Sequence, residues 1–193
     1  MSSGPLRRAA CIALAAMCAG AASAAPSAER LAVCGGCHGA NGQSAVAGTP
    51  SLAGQPRVFI ENQLVIIREG LRDVPVMKPF VAGLSDEDIG ALAAHYAALP
   101  PKVPAAAPQP DKAKAGAALA QRLLCPTCHL PTYAGQQQVP RLAGQDETYL
   151  VAAMKQFRDH PGPGRDTIMA ATLRGLNDDE LAQLAHHLAH ARP

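Results

Sequence analysis

Two pentapeptides in this chain combine residue types that bind metals and cofactors. They read CGGCH and CPTCH, and their reactive side chains are Cys34, Cys37, His38, Cys125, Cys128 and His129. On a helical turn, residues at i, i+3 and i+4 lie on nearly the same side. Two thiols can therefore add to the vinyl groups of one porphyrin while the imidazole reaches its iron. The pattern C-x-x-C-H thus predicts c-type haem attachment, twice in one chain.

Three other kinds of site would also use paired cysteines. A zinc site usually closes short loops, whereas 87 residues separate Cys37 from Cys125. Disulfides suit an exported protein, but they leave the paired histidines unexplained. A redox-active thiol pair would need a strand before the motif and alternating strands and helices, a pattern that this sequence does not show.

A methionine in each half could complete the coordination of a haem iron. Met77 lies 39 residues after His38, and Met169 lies 40 residues after His129. A thioether sulfur is a soft ligand that favours ferrous iron and raises the reduction potential relative to two histidines. The matched spacing predicts Met77 and Met169 as the sixth ligands, whereas Met154 is expected to pack in a core.

The remaining histidines are expected to be surface or half-buried residues rather than ligands. Four of them lie in the predicted final helices of the two halves, and one lies in a loop rich in glycine and proline. They are His95, His186, His187, His190 and His160.

The first 25 residues have the pattern of a secretory signal peptide. Arg7 and Arg8 precede a short apolar run, and small residues follow as far as Ala25. Removing this segment would leave four cysteines, all in the pentapeptides, and 15 Lys plus Arg against 15 Asp plus Glu. Such a near-neutral chain has no basic surface for nucleic acid and no polybasic anchor for a membrane.

The rest of the chain is an internal duplication. PSLAGQ at 50–55 corresponds to PRLAGQ at 140–145, and the segment 83–99 corresponds to 175–191. A stretch rich in proline and alanine lies between the copies and reads as an extended linker. The predicted organisation is a signal peptide at 1–25, a first domain at 26–100, a linker at 101–112 and a second domain at 113–193.

Helical patterns dominate both halves. Helices are predicted at 28–35, 56–69 and 113–124, and the final helices should start at the capping residues Ser85 and Asn177. Strand signals are almost absent. Only 3% of the residues are aromatic, and small cores of this kind commonly need a cofactor to complete them. The expected fold class is all-α, with two tandem domains of a few helices, each wrapped around a covalently bound haem.

Taken in order, these motifs resemble the two-haem class I cytochromes c of the cytochrome c4 family. The resemblance rests on CGGCH, PSLAGQ, Met77-Lys78-Pro79 and LSDEDIGALAAHY, repeated as CPTCH, PRLAGQ, Met169 and LNDDELAQLAHHL. The second copy departs from the pattern because two alanines follow Met169, and because DHPGPGRDTI replaces the loop before it. This departure suggests a looser distal side for the second haem.

The resemblance implies two cytochrome c domains facing each other, each haem with His and Met axial ligands. The carbonyls of Pro50 and Pro140 would hold His38 and His129. It also implies a periplasmic carrier of single electrons between respiratory-chain components, toward a terminal oxidase, a cytochrome bc-type complex or a dehydrogenase. No catalytic residue, nucleic acid or small-molecule substrate is expected.

Two other functions are compatible with the same motifs. The chain could be the dihaem electron-accepting subunit of one periplasmic dehydrogenase complex. Alternatively, it could be a peroxidase-type enzyme in which one iron is open to substrate, and such an iron would bind cyanide or carbon monoxide quickly.

Overall fold

Two helical units follow each other in the computed structural model, which describes residues 25–192. Residues 1–24 of the predicted signal peptide lie outside the described part. The first unit contains α1 (Ala28–His38), α2 (Arg57–Arg68), α3 (Lys78–Val81) and α4 (Asp86–Ala98). The second contains α5 (Pro110–Arg122), α6 (Cys125–His129), α7 (Glu147–Asp159), α8 (Thr167–Leu173) and α9 (Asp178–His190). Within residues 25–192 there is no strand beyond an isolated bridge between Gln136 and Val139, so the all-α prediction is confirmed.

The last helix of each unit starts where its capping residues predict. The Ser85 hydroxyl accepts a hydrogen bond from the Asp88 N–H, and the Asp88 carboxylate accepts one from the Ser85 N–H, both at 3.1 Å. Asn177 and Glu180 form the same reciprocal pair at the start of α9. Each pair satisfies two N–H groups that the helix itself leaves without partners.

Each unit buries its own apolar core against its last helix. In the first unit α2 packs on α4, and in the second α5 and α7 both pack on α9. The buried positions of α4 include Ile89, Leu92, Ala93 and Tyr96, which lie on one face of the helix. Those of α9 include Leu181, Leu184, Ala185 and Leu188. Met154 is buried in the second core, as predicted.

A glycine allows α5 and α9 to cross closely. A Cβ on Gly116 would lie 2.1 Å from the Gln183 carbonyl oxygen and 2.6 Å from the His187 Cβ. The corresponding residue of the first unit, 91 positions earlier, is Ala25, which precedes α1. Consequently, α1 lacks the turns with which α5 crosses α9. Within residues 25–192, no helix combines the length and apolarity needed to cross a bilayer.

Candidate haem-attachment sites

The two pentapeptides form helical turns in different local settings. CGGCH makes up the C-terminal end of α1, which ends at His38. CPTCH forms α6 by itself, with Pro126 in its first turn. Leu124, between α5 and α6, adopts left-handed backbone angles, with φ at 57°, and separates the two helices. In both cases the two cysteines and the histidine lie along one helical turn, as the spacing predicted.

Both histidines of the pentapeptides are buried and held in one orientation. Nδ1 of His38 lies 2.8 Å from the Pro50 carbonyl oxygen, and Nδ1 of His129 lies 2.8 Å from the Pro140 carbonyl oxygen. A carbonyl can only accept, so Nδ1 donates and Nε2 keeps a free lone pair. Burial lowers the pKa of His129 and favours the neutral ring that a metal requires. The contacts implied by the resemblance are therefore confirmed.

None of the four cysteines of the pentapeptides forms a disulfide with another described residue. Burial raises the pKa of Cys34, although a hydrogen bond with Tyr96 opposes this effect. Burial also raises the pKa of Cys125. The same cause, together with the charge of Cys34, raises the pKa of Tyr96 to about 12. Redox-active thiol pairs have lowered pKa values, so the raised pKa values of Cys34 and Cys125 argue against thiol exchange at either pentapeptide.

Each predicted methionine ligand lies against the same core as its pentapeptide. Met77 and Cys34 pack against the first core, and Met169 and Cys125 pack against the second. Met77 directly precedes α3, whereas Met169 lies inside α8. The Asp166 carboxylate caps α8 by accepting a hydrogen bond from the Met169 N–H at 2.9 Å. The loop that differs in the second half thus leads into a capped helix.

Apolar side chains are exposed beside these residues at corresponding positions in both halves. The residue before the first cysteine and the residue before the methionine are large, apolar and exposed in each case. They are Val33, Leu124, Val76 and Ile168. Free thiols, an available imidazole nitrogen, a thioether and an apolar surrounding all suit a covalently attached porphyrin. The residues present therefore fit a c-type haem in each half.

One histidine that was expected near the surface is instead buried. His186 is 3% exposed, so the expectation of a surface or half-buried ring was wrong at this position. Its Nδ1 donates to the Glu147 carboxylate and its Nε2 accepts the Gln109 N–H, both at 2.9 Å. Burial is tolerated because both ring nitrogens have partners.

A zinc site receives no support from the arrangement of potential ligands. Within residues 25–192, the group that could hold a metal ion consists of Glu147, His186 and His190, rather than the pentapeptide cysteines. Both ring nitrogens of His186 are already used in hydrogen bonds, so this group has no free lone pair from His186 to offer a metal.

Two glutamines join the units, a role that the sequence did not reveal. The Gln55 side chain accepts from the Arg141 N–H and donates to the Arg141 carbonyl, both at 2.9 Å. Gln145 makes the matching pair with the N–H and carbonyl of Ser51, at 2.7 and 2.9 Å. All four residues are buried. We call these four bonds the glutamine clasp.

The glutamine clasp lies next to the carbonyls that hold the haem-motif histidines. Ser51 and Arg141 directly follow Pro50 and Pro140. The carbonyl that holds each histidine and the N–H that the opposite glutamine binds therefore belong to the same peptide group. The signal that could have revealed the clasp is the glutamine that ends both copies of P-x-L-A-G-Q. Its repetition indicates a shared role, but not that the side chain crosses to the other unit.

Comparison with known proteins gives matches to both halves and to the whole. A family model for the subunit III of cbb3-type cytochrome c oxidase matches residues 22–95, and a cytochrome c model matches residues 113–192. Cytochrome c4 of Pseudomonas aeruginosa is 31% identical over 177 residues, which span 87% of this chain and 88% of that protein. The thiosulfate dehydrogenase electron acceptor of Stutzerimonas stutzeri is 35% identical over 168 residues, 81% of this chain and 78% of its own.

A solved structure agrees with the whole architecture. The crystal structure of reduced recombinant cytochrome c4 from Pseudomonas stutzeri superposes with a TM-score of 0.78 at 28% sequence identity. The match covers 87% of this chain and all of that one. The likeness therefore extends to the tandem arrangement of the two units.

Proposed function

The chain belongs to the cytochrome c4 family of dihaem cytochromes c, and from this premise we propose that it carries single electrons between periplasmic redox proteins. Two covalently attached c-type haems are its cofactors, one in each half. When bound, haem iron supplies one-electron chemistry between the ferric and ferrous states.

The observation that carries this proposal is that the pentapeptide histidine makes the same hydrogen bond in both halves. His38 and His129 each donate from Nδ1 to a proline carbonyl at 2.8 Å. Each would therefore offer Nε2 to the iron of a haem joined to the neighbouring cysteines. Two histidines held in the same way, one in each half, suit a carrier that passes electrons through two haems.

Met77 and Met169 are the sixth ligands in this proposal. Both pack against the same core as the first cysteine of their half. A histidine and a thioether would together hold the iron and would leave no ligand position open for peroxide or another substrate. We therefore expect slow binding of carbon monoxide at both haems, in contrast to a peroxidase-type enzyme.

The glutamine clasp supports electron transfer between the two halves. Its four bonds connect buried backbone on both sides of the boundary between the units. A fixed arrangement of the two haem sites keeps their separation constant, so that an electron entering one half can leave from the other.

Replacement of each methionine tests the ligand assignment. In Met77→Ala and Met169→Ala, we expect the charge-transfer absorption of thioether-bound ferric haem to be lost from the altered half alone. We also expect that half's reduction potential to fall by more than about 59 mV, a tenfold change in its one-electron equilibrium. Met154→Leu is the control, because Met154 is buried in the second core. Unchanged spectra and potentials in both alanine variants would contradict the assignment.

A second candidate function is that of a dedicated electron acceptor for a dehydrogenase. The relative from Stutzerimonas stutzeri, a thiosulfate dehydrogenase electron acceptor, favours this candidate. The two functions can be separated by mixing the oxidised protein with thiosulfate and a thiosulfate dehydrogenase. Rapid haem reduction there, together with slow oxidation by a terminal oxidase, would favour the dedicated acceptor.

Export to the periplasm completes the proposal. The N-terminal pattern of Arg7, Arg8 and a short apolar run supports removal of a leader near Ala25. Mass spectrometry of the purified protein gives the cleavage site and the haem number together. An intact N-terminus on a protein recovered from the cytoplasm would contradict export.

A further inference from the structure

A buried arginine at the boundary between the units has no counter-ion among residues 25–192. The Arg141 side chain is 6% exposed, and its Nε donates to the Ala143 carbonyl at 3.0 Å. Its Nη2 is buried and has no hydrogen-bond partner among residues 25–192. Burial alone lowers the pKa of Arg141, with no opposing effect from a carboxylate. A buried, unpaired guanidinium is strongly unfavourable, so this group calls for an anion.

The surroundings of Arg141 supply a second cation. Arg141 and Lys102 line the same small cavity, together with the two glutamines of the clasp, and no aspartate or glutamate of the described part of the chain lines it. Lys102 Nζ donates to the Ser44 carbonyl at 2.6 Å. An ammonium has three donors, so this bond leaves Lys102 able to bind an anion as well.

We propose that Arg141 and Lys102 bind a propionate carboxylate of a haem at the boundary between the units. This inference rests on the two haems of the proposed function. Arg141 directly follows Pro140, whose carbonyl holds His129, so the guanidinium is anchored beside a haem site. A guanidinium binds a carboxylate with two parallel hydrogen bonds, and these would satisfy the orphaned Nη2.

The two halves differ at the position of Arg141, so its charge should act on the reduction potential of one haem more than on that of the other. Ser51 stands in the first half where Arg141 stands in the second. The cation would stabilise the reduced state of the nearby haem, because the ferric state carries one more positive charge. Arg141 therefore also separates the two reduction potentials.

Spectroelectrochemical titration of the dihaem protein tests this inference. In Arg141→Gln, we expect one midpoint potential to fall by about 59 mV, which corresponds to a roughly tenfold change in its one-electron equilibrium. Arg141→Lys keeps the charge and should retain most of the wild-type potential. Lys102→Gln should shift the same haem in the same direction. The control is Arg57→Gln, which removes an exposed arginine paired with Glu61 and should change both equilibria by less than about twofold.

Further measurements distinguish the possible failures. A free inorganic anion is the other source of the same chemistry. In that case the wild-type potentials would change when phosphate replaces chloride at constant ionic strength, and this result would overturn the propionate assignment. Unshifted potentials in both Arg141→Gln and Lys102→Gln would also overturn it. If Arg141→Gln fails to fold, Lys102→Gln decides. A pyridine haemochrome assay that finds fewer than two haems would instead refute the proposed function.

Discussion

Replacing Gln145 with alanine removes half of the glutamine clasp. The variant loses the bonds to the N–H and carbonyl of Ser51 and an additional bond from the Asp146 N–H at 2.9 Å. Ser51 is 3% exposed, so water does not readily replace the lost partners. Each buried polar group left unsatisfied costs about 1–3 kcal/mol. We therefore expect Gln145→Ala to lower the free energy of unfolding by about 2–6 kcal/mol.

The matching variant Gln55→Ala and the double variant show whether the two halves of the clasp stabilise the protein cooperatively. Gln55→Ala orphans the N–H and carbonyl of Arg141 and should have a similar effect. In the double variant, we expect the units to separate and water to reach the exposed backbone. The loss of unfolding free energy in the double variant should then be smaller than the sum of the two single losses, by about 1–3 kcal/mol.

Urea unfolding of the dihaem protein, followed by far-ultraviolet circular dichroism, measures these free energies. Gln138→Ala is the matched control, because Gln138 is an exposed glutamine. A loss in Gln145→Ala no larger than that of the control would refute the reasoning. Full additivity in the double variant would show instead that the two halves of the clasp stabilise the protein independently.

Three further outcomes follow from the helices. Gly116→Ala would place a Cβ 2.1 Å from the Gln183 carbonyl oxygen, so we expect thermal unfolding to show a second unit destabilised by about 1–3 kcal/mol or more. Gly90→Ala in α4 meets no atom closer than 3.8 Å and should stabilise the first unit by up to about 1 kcal/mol; a loss would contradict this. Burial lowers the pKa of His187 from 6.5, so the unfolded chain takes up a proton first as the pH falls. The stability that His187 contributes is therefore present above about pH 6.5 and lost below it. Urea unfolding at two pH values should show this loss in the wild type and a smaller one in His187→Gln.

Each unit has a tyrosine beside the loop that follows its pentapeptide, but the two tyrosines come from different elements. The Gly42 carbonyl accepts hydrogen bonds from the N–H groups of two residues in PSLAGQ, and the Tyr133 carbonyl accepts the matching pair from PRLAGQ. A Cβ on Gly42 would lie 2.8 Å from the Tyr96 ring, so only glycine fits beside that tyrosine. In the second unit, Leu188 stands at the position of Tyr96, and the loop supplies the tyrosine. This exchange between loop and helix is not visible in either sequence segment alone.

The sequence by itself determined the features that depend on local spacing. The pentapeptides, the capping pairs and the apolar faces of α4 and α9 each involve residues within about one to four turns, so their geometry follows from the helical repeat. The duplication added the matched methionines. Their role as iron ligands remains a prediction.

Tertiary structure alone decided which distant groups meet. The glutamine clasp joins residues more than 80 positions apart, such as Gln55 and Arg141. His186 is buried because Glu147 and Gln109 happen to satisfy both of its ring nitrogens. The orphaned guanidinium of Arg141 likewise depends on the opposite unit for its burial. Desolvation and pairing of polar groups depend on everything that packs around them, and no repeat along the chain encodes that surrounding.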